Sequence, residues 1–169
     1  MRAALRIIDN LSEYTGRFIR WFCAILILIL TFEVTSRHLF NHPTQWAHQT
    51  SLMMSGAIIA LGWAYVHRHR AHVRVDVIYS HFPQRAQALI DVALDIIVFF
   101  PLLAALTYAA WNKMLYSWEM NEIMVETYWY PPVGPNRTAV FIGLALLGFQ
   151  GISNFIKSTY LLLRNKPYD

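Results

Sequence analysis

Gly62-Trp-Ala-Tyr-Val-His-Arg-His-Arg-Ala-His-Val-Arg-Val-Asp76 is where an apolar stretch of the chain ends in positive charge. Ahead of it, Trp46 to Val66 is a run of apolar and small residues long enough to cross a bilayer. Behind it, Arg68, Arg70 and Arg74 interleave with His67, His69 and His72, and Val73, Val75 and Val77 take alternate positions. An apolar segment closed by arginines reads as a membrane span meeting a membrane surface, and the rest of the chain is oriented from that junction.

Composition agrees. Of 169 residues, 56% are hydrophobic and 14% charged, against roughly a quarter charged in soluble domains. Six Trp and nine Tyr suit a chain that meets two lipid–water interfaces. The formal charge of +4 is not arranged as a basic stripe with interleaved stacking aromatics, so no nucleic-acid partner is expected. The single Cys23 lies inside the first apolar run and reads as a small buried hydrophobe. The N-terminus is basic, but its apolar run begins near Phe18 and passes Leu30 without a small-x-small cleavage site, so it reads as a retained span.

The expected fold is an all-α membrane protein, one domain over residues 1–169, with four transmembrane helices and an amphipathic N-terminal helix. Ile7, Ile8, Leu11 and Tyr14 recur at spacings near three and four between Arg2, Arg6, Asp9 and Glu13, which predicts an amphipathic helix over 1–17. It lies on the membrane surface or runs directly into span one, residues 18–40. Asn41-His-Pro-Thr44 is a turn. Span two covers 46–66, with Trp46 and Trp63 about 25 Å apart along a helix and marking opposite interfaces. Span three covers 86–115, with Pro101 predicting a kink, and span four covers 138–163.

Basic residues fix the expected orientation. Arg2, Arg6, Arg17, Arg20, Arg68, Arg70, Arg74, Arg85, Lys157, Arg164 and Lys166 fall on one side; Arg37, Lys113 and Arg137 fall on the other. Eleven against three places both termini in the cytoplasm.

Small residues at Gly56, Ala60 and Ala64 share one face of span two, where another helix can approach, either within the chain or from another subunit. Glu33 and Arg37 are four apart in the order that favours an intrahelical ion pair. An ionisable residue inside a span also raises a proton or ion pathway. Asp91 and Asp95 share a face near the start of span three, placed to pair with a base such as Arg85. All seven histidines precede span three, so no bundle of four helices holds a haem between facing ligands. The arginines among His67, His69 and His72 repel a cation, so no metal site is expected, and no catalytic constellation appears.

Arg37-His-Leu-Phe-Asn41, Pro43, Trp46-Ala47, Ala60-Leu-Gly62 and His72-Val-Arg-Val-Asp76, in that order, resemble the small membrane subunit of tripartite ATP-independent periplasmic (TRAP) transporters. Trp118-Glu119, Glu122 and Pro131-Pro132 extend the likeness more loosely. That pattern has two acidic residues after the tryptophan, where this chain has His48-Gln49. The resemblance implies a non-enzymatic subunit of the bacterial inner membrane that holds no cofactor. It would scaffold a large permease subunit that couples Na⁺ to the uptake of small organic acids delivered by a periplasmic binding protein. Structural motif residues are then Arg37, Asn41, Pro43, Trp46, Gly62, His72, Arg74 and Asp76. Gly56, Ala60 and Ala64 are candidates for the large subunit, and His42, His48, Trp118, Glu119 and Glu122 for the periplasmic partner. Val73, Val75 and Val77 are expected against the membrane or a neighbouring helix, with Asp76 paired to a base or helix terminus. The alternatives are a membrane-anchor or electron-transfer subunit of a respiratory complex and, more remotely, a small multidrug-type exporter.

Overall fold

A computed structural model describes residues 2–69, 82–126 and 128–164. Arg70, His72, Arg74, Asp76 and the alternating valines, with the roles expected of them, lie outside the described residues. Regular structure among the described residues is helical: α1 (Arg2–Leu39), α2 (Gln45–Arg68), α3 (Gln84–Leu94), a π-helical turn (Asp95–Phe99), α4 (Phe100–Glu119) and α5 (Gly134–Arg164).

The N-terminal amphipathic segment and span one form one continuous helix of 38 residues. No proline interrupts it, and its one glycine, Gly16, sits where a Cβ would collide with the Tyr65 ring of α2. The helix stops where Asn41 turns left-handed, at φ 51°, a conformation asparagine tolerates better than most residues. The His42 N–H then folds back onto the Ser36 carbonyl at 3.1 Å, and the Ser36 hydroxyl returns a bond to the His42 carbonyl at 2.6 Å. Pro43 and an extended Thr44 lead into α2.

Span three is disturbed near its proline, as a widened turn and not a break. Pro101 has no N–H, and its ring would press on the carbonyl four residues back. The chain absorbs this in the π turn just before it, where the Phe100 N–H reaches the Asp95 carbonyl. α2 and α5 form the central pair; α1 packs along α2 and touches α5 at one end, and α3–α4 lie against α5. At the centre a Cβ on Gly143 would collide with the Ala60 carbonyl, so glycine sets the closest approach of the two backbones.

The polarity of the bundle is reversed relative to a water-soluble domain. Its largest fully buried side chains are Gln49, Gln150, Ser12, Ser117 and Ser153, while Leu28, Ile97, Leu102 and Phe149 point outward. Water would strongly disfavour that arrangement; hydrocarbon favours it, because apolar groups are solvated and polar groups need protein partners.

Three stretches are long and apolar enough to cross a membrane: Leu5–Leu39, Arg85–Glu119 and Gly134–Leu163. By that measure the expected fourth span, 46–66, is corrected. Its helix α2 carries Gln45, His48, Gln49, Thr50, Ser51 and Ser55 in its first three turns, and polar residues there meet α1 and α5 as well as the surroundings.

Candidate functional site

Two polar networks cap the bundle, one at each end. At the first, Asp9 of α1 sits against α5. Its Oδ1 accepts from Gln150 Nε2 at 3.0 Å and Ser153 Oγ at 3.1 Å, and its Oδ2 accepts from Lys157 Nζ at 2.6 Å. Ser12 Oγ donates to Gln150 Oε1 at 2.7 Å, and Asn154 Nδ2 donates to the His67 carbonyl of α2 at 2.9 Å. Arg68 of α2 donates to the Asp9 carbonyl and to Glu13 Oε2, the latter at 3.0 Å; His69 Nε2 faces the same carboxylate oxygen at 3.3 Å. The His67 ring stacks on Phe99 at 5.0 Å between centroids, which brings in the π turn. Gln150, Ser153 and Ser12 are at most 1% exposed, so this cluster is built into the protein. Three buried or half-buried α5 side chains, Gln150, Ser153 and Lys157, converge on Asp9 of α1, and each supplies a donor that lipid could not.

At the opposite end, Glu33 joins two helices. Its Oε1 accepts from Arg37 Nη2 at 2.6 Å and Nε at 3.2 Å. Its Oε2 accepts from the Thr44 hydroxyl and from the Thr44 backbone N–H at 3.1 Å. Thr44 is the N-cap of α2, so one carboxylate both pairs with its own helix and secures the start of the next. Trp46 packs on Phe32 across the same junction, centroids 5.9 Å apart.

The connection from α4 to α5 folds over this end. Asn121 and Tyr130 turn at φ 48° and 49°, and two backbone bonds, Met124 N–H to the Pro131 carbonyl and Val133 N–H to the Glu122 carbonyl, both 2.9 Å, pin the loop as a short hairpin. Inside it Glu122 accepts from Ser117 Oγ at 2.7 Å and from both Arg137 nitrogens at 2.7 Å. Gln49, fully buried on α2, donates to the Met124 sulfur. Trp118 Nε1 donates to Thr138 Oγ1 at 2.9 Å, and a Cβ on Gly134 would press on the Trp118 ring.

One pair of network residues on each long helix has the same spacing. Glu13 and Glu33 on α1, Gln49 and His69 on α2, and Arg137 and Lys157 on α5 are each twenty residues apart. Twenty residues span about 30 Å at 1.5 Å per residue, the thickness of a bilayer's hydrocarbon.

The family model for the DctQ component of tripartite ATP-independent periplasmic transporters matches residues 7–159. The chain belongs to that family. No curated protein matches it. A DctQ component is the small permease subunit of a TRAP transporter, a transport component and not an enzyme, which leaves the respiratory-subunit and exporter alternatives without support.

Within this DctQ component the expected motif residues separate by role. Arg37, Asn41, Pro43 and Trp46 come together with Glu33 as the α1–α2 junction. Gly62 stands apart: a Cβ there would meet nothing within 4 Å. Ala60 and Ala64, expected to meet the large subunit, are 1% and 0% exposed against the chain's own helices, and Gly56 faces Asn136 of α5. That small-residue face is used inside the subunit. Among the residues expected to face the periplasmic partner, His42, His48, Trp118 and Glu119 are exposed, whereas both Glu122 oxygens are engaged by Ser117 and Arg137.

The Asp9 network was not anticipated. Its trace in the sequence is Gln150, Ser153, Asn154 and Lys157, a polar stripe at helical spacing on an otherwise apolar helix. Asp9 and Glu13 read as the wet face of an amphipathic helix because the partners that tie them to other helices lie more than fifty residues away.

Proposed function

We propose that this subunit is a rigid, multi-span scaffold in the bacterial inner membrane. It holds a large Na⁺-coupled permease subunit that imports small organic acids handed over by a periplasmic binding protein. The observation that carries the reading is the pair of polar networks one hydrocarbon thickness apart. Both ends of α2 are tied into them, Thr44 to Glu33 and Arg68 to Asp9 and Glu13. These ties support a reading in which α2 runs between the two polar levels beside α1 and α5, screened from lipid by its neighbours.

Between the networks the central helices meet through Ala60, Ala64, Gly143 and Leu144. Such a core suits a fixed support, since helices latched at both ends resist sliding. Orientation follows the eleven-to-three bias of basic residues: the Asp9 network lies at the cytoplasmic surface, the Glu33 junction and the 120–133 loop at the periplasmic one.

The test is co-expression with a large multi-span permease subunit and a binding protein, followed by purification and reconstitution in vesicles. The two membrane subunits should co-purify in a constant ratio, and Na⁺-dependent uptake should require both. Full uptake by the large subunit alone would overturn the scaffold role. Topology is read by thiol labelling of a Cys23→Ser background: Asn41→Cys should react from the periplasm and His69→Cys from the cytoplasm.

A further inference from the structure

Between α4 and α5 the outer surface is cut by an apolar groove of about 450 Å³, walled by Leu103, Ala104, Trp111, Phe141 and Ile152. Gly148 forms part of its floor, and a Cβ there would already touch Leu103 at 3.4 Å. Tyr108 lines this groove and also a second one of about 440 Å³, which continues along α4 past Asn112 and Lys113 to Tyr116. With Tyr108 common to both, the two grooves follow one another along α4, the first apolar and the second edged by Asn112, Lys113 and Tyr116.

The ends of that track identify what fits it. At one end Phe100, which lines the groove, meets Phe99 and Phe155 edge-on, at 5.4 and 5.5 Å between centroids. At the open end the Lys113 ammonium lies over the Tyr116 ring at 6.0 Å and, among the described residues, pairs with no carboxylate. The Lys113 carbonyl accepts from Arg137 at 3.2 Å, which sets this end at the level of the polar network. From Lys113 to Phe100 is about 20 Å along the helix, one leaflet of about 15 Å plus a headgroup. A transmembrane helix of a partner would need a groove through both leaflets. A lipid needs one leaflet, an apolar wall and a cation at the phosphate level.

We propose that this track is a phospholipid site, with one acyl chain lying along α4 from Trp111 toward Ile152 and the phosphate on Lys113. Asn112 and the Tyr116 hydroxyl flank the headgroup. The site rests on the same placement of the bundle in the bilayer as the proposed function, and deepens it by naming a component of the assembly.

The experiment uses the full chain, co-expressed with its large subunit and reconstituted in phosphatidylethanolamine vesicles. These carry a phosphatidylglycerol with a photoactivatable diazirine midway along one chain. After illumination, adducts should map to α4 and α5 peptides containing Thr107, Trp111 or Phe141. Ala104→Phe, which fills the groove, and Lys113→Glu, which reverses charge at an exposed position, should each lower that adduct about tenfold while co-purification persists. Equal labelling of the groove and of the outer face of α1 at Leu28, unchanged by Ala104→Phe, would overturn the proposal. So would capture of a large-subunit peptide by a photoreactive residue at position 108. Either result leaves the scaffold reading standing if the subunits still co-purify; loss of co-purification in the wild-type chain would strike that reading instead.

Discussion

Gln49 shows how one side chain adapts the pattern this chain resembles. It occupies a position where that pattern has an acid, and it is fully buried with its amide nitrogen on the Met124 sulfur. A carboxylate there would face a weak acceptor, with no cation among the residues bonded to it, and burying an unpaired charge is strongly unfavourable. Gln49→Glu should therefore destabilise the purified protein by on the order of 3 kcal/mol, read as a lower Tm in detergent; an unchanged Tm would show that the site is wet. Gln150 lies at the other end and is also fully buried, linking Ser12, Asp9 and Asn154. Gln150→Leu leaves the Ser12 hydroxyl and one Asp9 oxygen short of a partner, and the expected loss is about 1–2 kcal/mol. Asn is the gentler probe at Asp9: Asp9→Asn keeps the shape but removes the charge facing Lys157, so it should destabilise less than Asp9→Ala, measured the same way.

At the scale of elements, three contacts decide how the helices lie. Glu33 bridges α1 to the cap of α2, so Glu33→Gln weakens both the Arg37 pair and the Thr44 cap. The expected result is a lower Tm, with any loss of uptake tracking loss of assembled complex. Abolished uptake in a fully assembled complex would instead make Glu33 part of an ion path. Gly143 sets the α2–α5 distance. Gly143→Leu should force the two helices apart, costing at least about 1–3 kcal/mol and reducing yield of folded subunit. Gly62 is the contrast, with open space around it. Gly62→Ala should stabilise the isolated subunit by up to about 1 kcal/mol through helix propensity; if the same change weakens co-purification, α2 meets a partner at that point. The π turn ahead of Pro101 belongs to this scale too. Proline in the sequence announces a disturbance, but whether it appears as a kink, a break or a widened turn depends on what packs around it. Here Gly151 of α5 makes room for Phe99, and His67 stacks on that ring.

For the whole molecule, the governing fact is the solvent. With hydrocarbon outside, apolar burial gives little drive for association, so polar links and close backbone contact determine the arrangement. Polar groups collect at two levels about 30 Å apart, and the middle is left to alanine, glycine and leucine. That division fastens the helices to one another at both ends of the bundle. It also accounts for the three helices that hydropathy picks out, since α2 is tied at both ends without meeting that measure. A central helix is solvated by protein on most sides and tolerates Gln49, Ser51 and other polar residues that a lipid-facing helix does not.

Local properties were legible in the sequence: the membrane class, the helical segments and their turns, the i,i+4 pair of Glu33 and Arg37, and the family through its short motifs. Each depends on residues close together along the chain or on composition, and periodicity reports those directly. Tertiary structure decided the rest. It turned the Gly56–Ala60–Ala64 face inward against α5, engaged both Glu122 oxygens with Ser117 and Arg137, and assembled the Asp9 network from three helices. Those contacts join residues far apart in sequence, and a polar or small residue on a helix does not by itself state whether its partner is another helix of the same chain, a second subunit or lipid. Only the packing of α2 between α1 and α5 answers that, because in hydrocarbon a polar group must find protein to bond and a small residue must find a backbone to approach.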